Sequence, residues 1–102
     1  MLTVPHFVNG RRVDGTSGRD GDVFDPNTGV VQARVALATT AEVGAVVQAA
    51  SQAFPAWSAI NPQRRARVMF EFKRLVESEM DSLAALLSSE HGKVIADSKG
   101  DG

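Results

Sequence analysis

The sequence contains no cysteine. A disulfide framework, a thiolate metal site and a cysteine nucleophile are therefore all excluded within this chain. It also lacks an excess of one charge. Eleven Lys and Arg face twelve Asp and Glu, interspersed, for a net charge of −1. No field of one sign results, which disfavours nucleic acid and anionic membrane as partners. No stretch approaches the ~18 apolar residues that span a bilayer. Met1–Gly10 has neither the basic region nor the apolar run of a signal peptide. These absences lead to the expectation of a cytoplasmic protein.

What is present is an ordinary globular composition, 43% hydrophobic and 23% charged. A length of 102 residues allows one small domain or a piece of a larger one. A chain of this size buries roughly two-thirds of its unfolded surface, so its core is thin.

Residues 4–38 predict antiparallel β-hairpins. His6-Phe7-Val8, Asn9-Gly10 and Arg11-Arg12-Val13 form the strongest such signal, because Asn-Gly supplies the positive φ angles of a two-residue turn. Asp14 to Asp22 is polar and glycine-rich and is expected to be a surface loop. Val23-Phe24-Asp25 then predicts a short strand, Asp25–Gly29 a turn, and Val30–Ala38 the next strand.

Helices are expected over 39–54, 61–77 and 79–91. In the first, Thr39 and Glu42 make a capping box, while Val43, Val46, Val47, Ala50 and Phe54 share a face. Ala45, Ala49 and Ala53 flank that face, Pro55 is expected to end the helix, and Ala56–Ile60 becomes a connector with Trp57 packed over the junction. In the second, Asn61 caps and Pro62 suits the first helical position, where a missing N–H costs nothing. Met69, Phe72, Val76 and Met80 form its apolar stripe, widened by Val68 and Leu75, with Arg64, Arg67, Glu71 and Arg74 opposite. In the third, Ser78 and Asp81 resemble a capping box, Leu83, Leu86 and Leu87 face inward, and Gly92 is the stop. Lys93–Lys99 is expected to start a fourth helix.

Candidate chemistry is sparse. Gly15, Gly18 and Gly21 do not have the spacing of a dinucleotide fingerprint, and no helix opens directly after them. Asp20, Asp22 and Asp25 fail as a calcium loop, since Phe24 and Asp25 occupy positions that need a ligand and a glycine. Glu90-His91-Gly92-Lys93 groups an acid, an imidazole and an amine, but a helix end favours such residues anyway. His6 stands alone in its strand. Arg64, Arg65, Arg67, Lys73 and Arg74 form a solvated or salt-bridged face. The residues alone thus predict no catalytic, cofactor-binding or metal-binding position.

Five segments in this order resemble a known pattern. They are His6–Gly10, Phe24–Gly29, Ala53–Trp57, the Arg-rich helix start after Asn61, and Glu90–Lys93. Together they resemble the N-terminal portion of the aldehyde dehydrogenase superfamily. Ala53–Trp57 and Gly92–Asp101 are closest to its CoA-acylating methylmalonate-semialdehyde dehydrogenases. The resemblance implies an α/β parent, with this chain an incomplete α+β fragment from the N-terminal part of the NAD-binding domain: β-hairpins, three amphipathic helices and the start of a fourth.

It further implies a homo-oligomeric parent that uses NAD and CoA in valine catabolism. That parent oxidises methylmalonate or malonate semialdehyde through a cysteine thioester, and passes hydride to the cofactor. The family's cysteine, oxyanion asparagine and cofactor contacts all lie beyond this stretch. No site residue therefore carries over, and neither activity nor cofactor binding is expected of residues 1–102 alone. The expected partner is the remainder of the dehydrogenase, or another copy through the exposed apolar faces. A catalytically silent helical interaction module is the alternative.

Overall fold

A computed structural model describes residues 1–100. The chain forms two compact units, one of Met1–Val23 with Val31–Ala59, the other of Phe24–Val30 with the chain from Ile60 onward.

The first unit holds β1 (Leu2–Val4), β2 (His6–Val8), β3 (Arg11–Val13), most of β4 (Asp20–Phe24), β5 (Val31–Ala36) and α1 (Thr40–Ala59). β2 and β3 form the expected hairpin, pairing His6 with Val13 and Val8 with Arg11. Asn9 and Gly10 turn the chain at φ 54° and 81°, the left-handed pair that such a turn requires.

Of the other strands, β4 and β5 keep the expected hairpin adjacency, joined by the turn over 25–30, while β1 is unexpected. They form a sheet in the order β1-β5-β4, in which β1 runs parallel to β5 with Leu2 beside Ala33 and Val4 beside Val35. A three-residue strand before Pro5 has no turn partner, and a parallel pair needs a long crossover that local patterning does not reveal. The expected loop also ends early, because β4 starts at Asp20. Asp and Gly are poor strand formers, yet both lie within β4, and Gly21 sits at ordinary contact distance from its neighbours. A Cβ there would lie 3.4 Å from Val35 Cγ1 and 3.6 Å from Leu37 Cδ2.

α1 begins where the capping box places it but runs past Pro55 to Ala59. Proline removes one intrahelical bond, to the carbonyl four residues back. At this exposed position water can satisfy that carbonyl. Ser58 Oγ donates to the Pro55 carbonyl at 3.1 Å. The expected connector is thus the helix's last turn, and Trp57 is 37% exposed rather than packed over a junction.

The second unit begins with the Asp25–Val30 turn. Gly29 N–H donates to the Asp25 carbonyl and Asp25 N–H to the Val30 carbonyl, both at 2.8 Å. Asn27 N–H donates to Asp25 Oδ1 at 2.9 Å. Three helices follow: α2 (Pro62–Ser78), α3 (Met80–His91) and α4 (Ile95–Gly100). Asn61 caps α2 by accepting from Gln63 N–H at 2.8 Å.

The expected Ser78–Asp81 box does not form. α2 runs almost directly into α3, Glu79 is the N-cap without a side-chain bond, and Ser78 Oγ donates back to the Leu75 carbonyl at 2.8 Å. At the other end of α3, Gly92 stops the helix as expected, at φ 82° with its N–H on the Ser88 carbonyl. α4 is fastened to α3 by a 2.7 Å contact between Ser88 Oγ and Ser98 Oγ and by Lys99 Nζ on Asp81 Oδ1 at 2.9 Å.

The core is small. Among the described residues only Ala84 and Ser98 are buried, each 1% exposed. For a mass of 10.8 kDa, compact-chain scaling gives about 6,700 Å² even for two separate bodies of half that mass. The chain exposes 7879 Å².

Candidate functional site

The densest polar cluster lies in the first unit, around Glu42 in the first turn of α1. Its Oε1 accepts the Thr39 N–H at 3.0 Å, while Thr39 Oγ1 accepts the Glu42 N–H at 3.0 Å. That reciprocal pair satisfies two donors a helix start leaves open. Oε2 turns the other way and accepts the Thr16 N–H at 3.3 Å. His6 Nε2 stands 3.6 Å from the same oxygen. Glu42 therefore ties together a helix start, the loop after β3 and strand β2.

These contacts favour the ionised carboxylate. The Thr39 N–H is the main cause, and holds the Glu42 pKa below its ordinary value despite partial burial. The cluster can anchor elements against one another. It holds no nucleophile, and one carboxylate beside one imidazole is not a catalytic constellation.

Glu42 was legible as a capping residue, but its meeting with His6 was not. The two are far apart in sequence, and no local pattern links a strand imidazole to a helix cap.

The other candidates lie elsewhere in the chain. Glu90 and His91 are exposed and Lys93 half-buried at the end of α3, where Gly92 supplies the left-handed stop. Asp22 faces Arg34 at 3.9 Å, and Asp25 accepts within its own turn. Among the described residues no group of His, Cys, Asp and Glu could hold a metal ion.

The basic face of α2 is partly neutralised from within. Arg74 Nε donates to both Glu71 oxygens at 3.1 and 3.0 Å, which lowers the Glu71 pKa and raises that of Arg74. Lys73 pairs with Glu77 at 3.6 Å, and Arg65 Nε donates to the Ile60 carbonyl at 3.1 Å.

The largest unexplained features are apolar. On α1, Val43, Val47 and Phe54 are exposed, and on α2 Val68, Met69, Phe72 and Leu75 are exposed. Phe72 is 59% exposed in the middle of the stripe that its spacing assigns to a core. Contiguous exposed apolar surface of this kind marks contact sites.

Residues 13–102 match the model of the aldehyde dehydrogenase family. The chain belongs to that family. This aldehyde dehydrogenase chain is 40% identical over 101 residues to the malonate-semialdehyde dehydrogenase of Pseudomonas aeruginosa, covering 99% of its own length and 20% of that enzyme's. It is 41% identical over 98 residues to the acylating methylmalonate-semialdehyde dehydrogenase of Arabidopsis thaliana, covering 96% of itself and 16% of that protein.

Among solved structures, a protein of Sinorhizobium meliloti 1021, assigned as a methylmalonate-semialdehyde dehydrogenase and crystallised with NAD, superposes with a TM-score of 0.95. The identity is 52%, over 99% of this chain and 21% of that one. The methylmalonate-semialdehyde dehydrogenase of Oceanimonas doudoroffii gives 0.94 at 40% identity, over 99% of this chain and 20% of that one. The aldehyde dehydrogenase chain thus spans about one fifth of the length of the curated relatives it matches.

A phosphate cradle needs glycines between a strand and a helix start, whereas the Gly15–Gly21 segment leads into strand β4. No helix of the described residues is long and apolar enough to cross a membrane.

Proposed function

We propose that these 102 residues serve as the N-terminal part of the NAD-binding domain of a cytoplasmic, NAD-dependent, CoA-acylating dehydrogenase of methylmalonate or malonate semialdehyde. The chain would be scaffold within that enzyme, contributing no catalytic or cofactor-contacting side chain. The observation behind this reading is the pairing of coverages: 99% of this chain against 20% of the malonate-semialdehyde dehydrogenase it matches. The exposed faces of α1 and α2 support it, because apolar stripes with so little cover need a counterpart.

The chemistry follows from that assignment. NAD, when bound, takes the hydride, and the thiol nucleophile must come from outside this chain, which has no cysteine. What this segment supplies is surface and rigidity.

A chimera tests the reading. Residues 1–100 would replace the matching segment of the Pseudomonas aeruginosa enzyme, and turnover would be assayed with NAD, CoA and malonate semialdehyde. Retained NAD-dependent acyl-CoA formation is expected, and the 102-residue chain alone should be silent. A folded chimera without activity, or turnover by the short chain, would overturn the proposal.

The second reading is a small helical interaction module, favoured by the same exposed stripes. Tight binding of the 102-residue chain to an unrelated protein, and none to a dehydrogenase lacking this segment, would establish it instead.

A further inference from the structure

We infer that His6 and Glu42 form a proton-operated catch between strand β2 and the start of α1. His6 Nε2 is closed off from water and, among the described residues, has no hydrogen-bond partner. It faces Glu42 Oε2 at 3.6 Å, with the two side chains 21% and 17% exposed. A buried polar nitrogen without a partner is costly.

The cost depends on the proton. The neutral ring meets the carboxylate as a bare acceptor in one tautomer and as an uncharged Nε2–H donor in the other. In the imidazolium both ring nitrogens carry hydrogen, so Nε2 becomes a charged donor aimed at the carboxylate.

The surroundings leave this interaction uncontested. Glu42 is held ionised by the Thr39 N–H, so it keeps its charge across the range where histidine titrates. From β3, Val13 pairs with His6, and strand alternation sends the neighbouring Arg12 and Asp14 to the opposite face of the ribbon. Gly15 closes the remaining side, since a Cβ there would come within 3.3 Å of Nε2. Among the described residues, Glu42 is thus the charged group that faces His6.

The sign follows. The catch is engaged while the ring carries its second proton and loosens as rising pH removes it. Thr16, whose N–H shares Glu42 Oε2 with His6, reports the change.

The test is NMR on the full 102-residue chain between pH 5 and 8. After correction for intrinsic rates, Thr16 amide exchange should quicken roughly two- to fivefold across that range, the scale of a partly exposed ion pair. His6→Gln should abolish the step. Glu42→Gln keeps a capping-box residue but removes the charge, and should likewise flatten the pH dependence of Thr16 exchange. An exchange profile in His6→Gln or in Glu42→Gln identical to that of the wild type would overturn the catch.

Discussion

Thr39–Glu42 and Ser78–Asp81 carry the same spacing of hydroxyl and acid, and the chain uses them differently. The first pair closes a reciprocal capping box at the entrance of α1. In the second, Ser78 is the last residue of α2 and spends its hydroxyl on the Leu75 carbonyl, while Asp81 meets Lys99. The difference lies in what comes before each pair. Ala38 is non-helical and leaves Thr39 free to cap, whereas Ser78 arrives inside a helix whose final carbonyls are already in reach. A capping motif therefore works only where the preceding chain has stopped being helical.

Three predictions press on this contrast. The largest effect belongs to the far end of α3, where Gly92 rather than a side chain supplies the stop. Gly92→Ala would hold a Cβ at φ 82° and within 3.3 Å of Pro26 Cγ, costing about 1–2 kcal/mol in a urea titration. A cost below about 0.3 kcal/mol would show that the αL residue is not what ends α3.

Next comes the contrast itself. Thr39→Ala should destabilise the chain by about 1 kcal/mol, while Ser78→Ala should stay within about 0.5 kcal/mol. Equal losses from the two would break the comparison, because they would mean that both serines and threonines cap alike.

The smallest effect is in pH. The folded Glu42 pKa lies below its ordinary 4.5. The stability it contributes is therefore complete above that ordinary value and lost as pH falls through the folded one. In acid titrations followed by circular dichroism, the gap between wild type and Glu42→Gln should close below about pH 4.5. A gap unchanged to the acid end would show that the carboxylate charge is not what matters at this cap.

Much of the fold was legible because it is local. The Asn9-Gly10 turn, the Thr39 box, the Asn61 cap and the Gly92 stop each depend on residues a few positions apart. What could not be read depends on distance. β1 finds its partner across the sheet, β4 reaches into a glycine-rich stretch to pair beside β5, and α1 continues beyond Pro55 because that position is exposed. The helix stripes were correctly drawn as apolar faces, but spacing alone does not say how much of a stripe the chain can cover. His6 was seen only as an isolated residue, since its neighbour comes from another element.

The parallel pairing of Leu2–Val4 with Ala33–Val35 also orders events in time. No tight turn can join parallel strands, so this contact closes a ring that includes the β2–β3 hairpin and all of β4. Contacts of high sequence separation form slowly, after local turns and helices. During synthesis β1 leaves the ribosome before β5, and it has no partner until β5 follows. A strand made well before its partner is thus among the last to be secured.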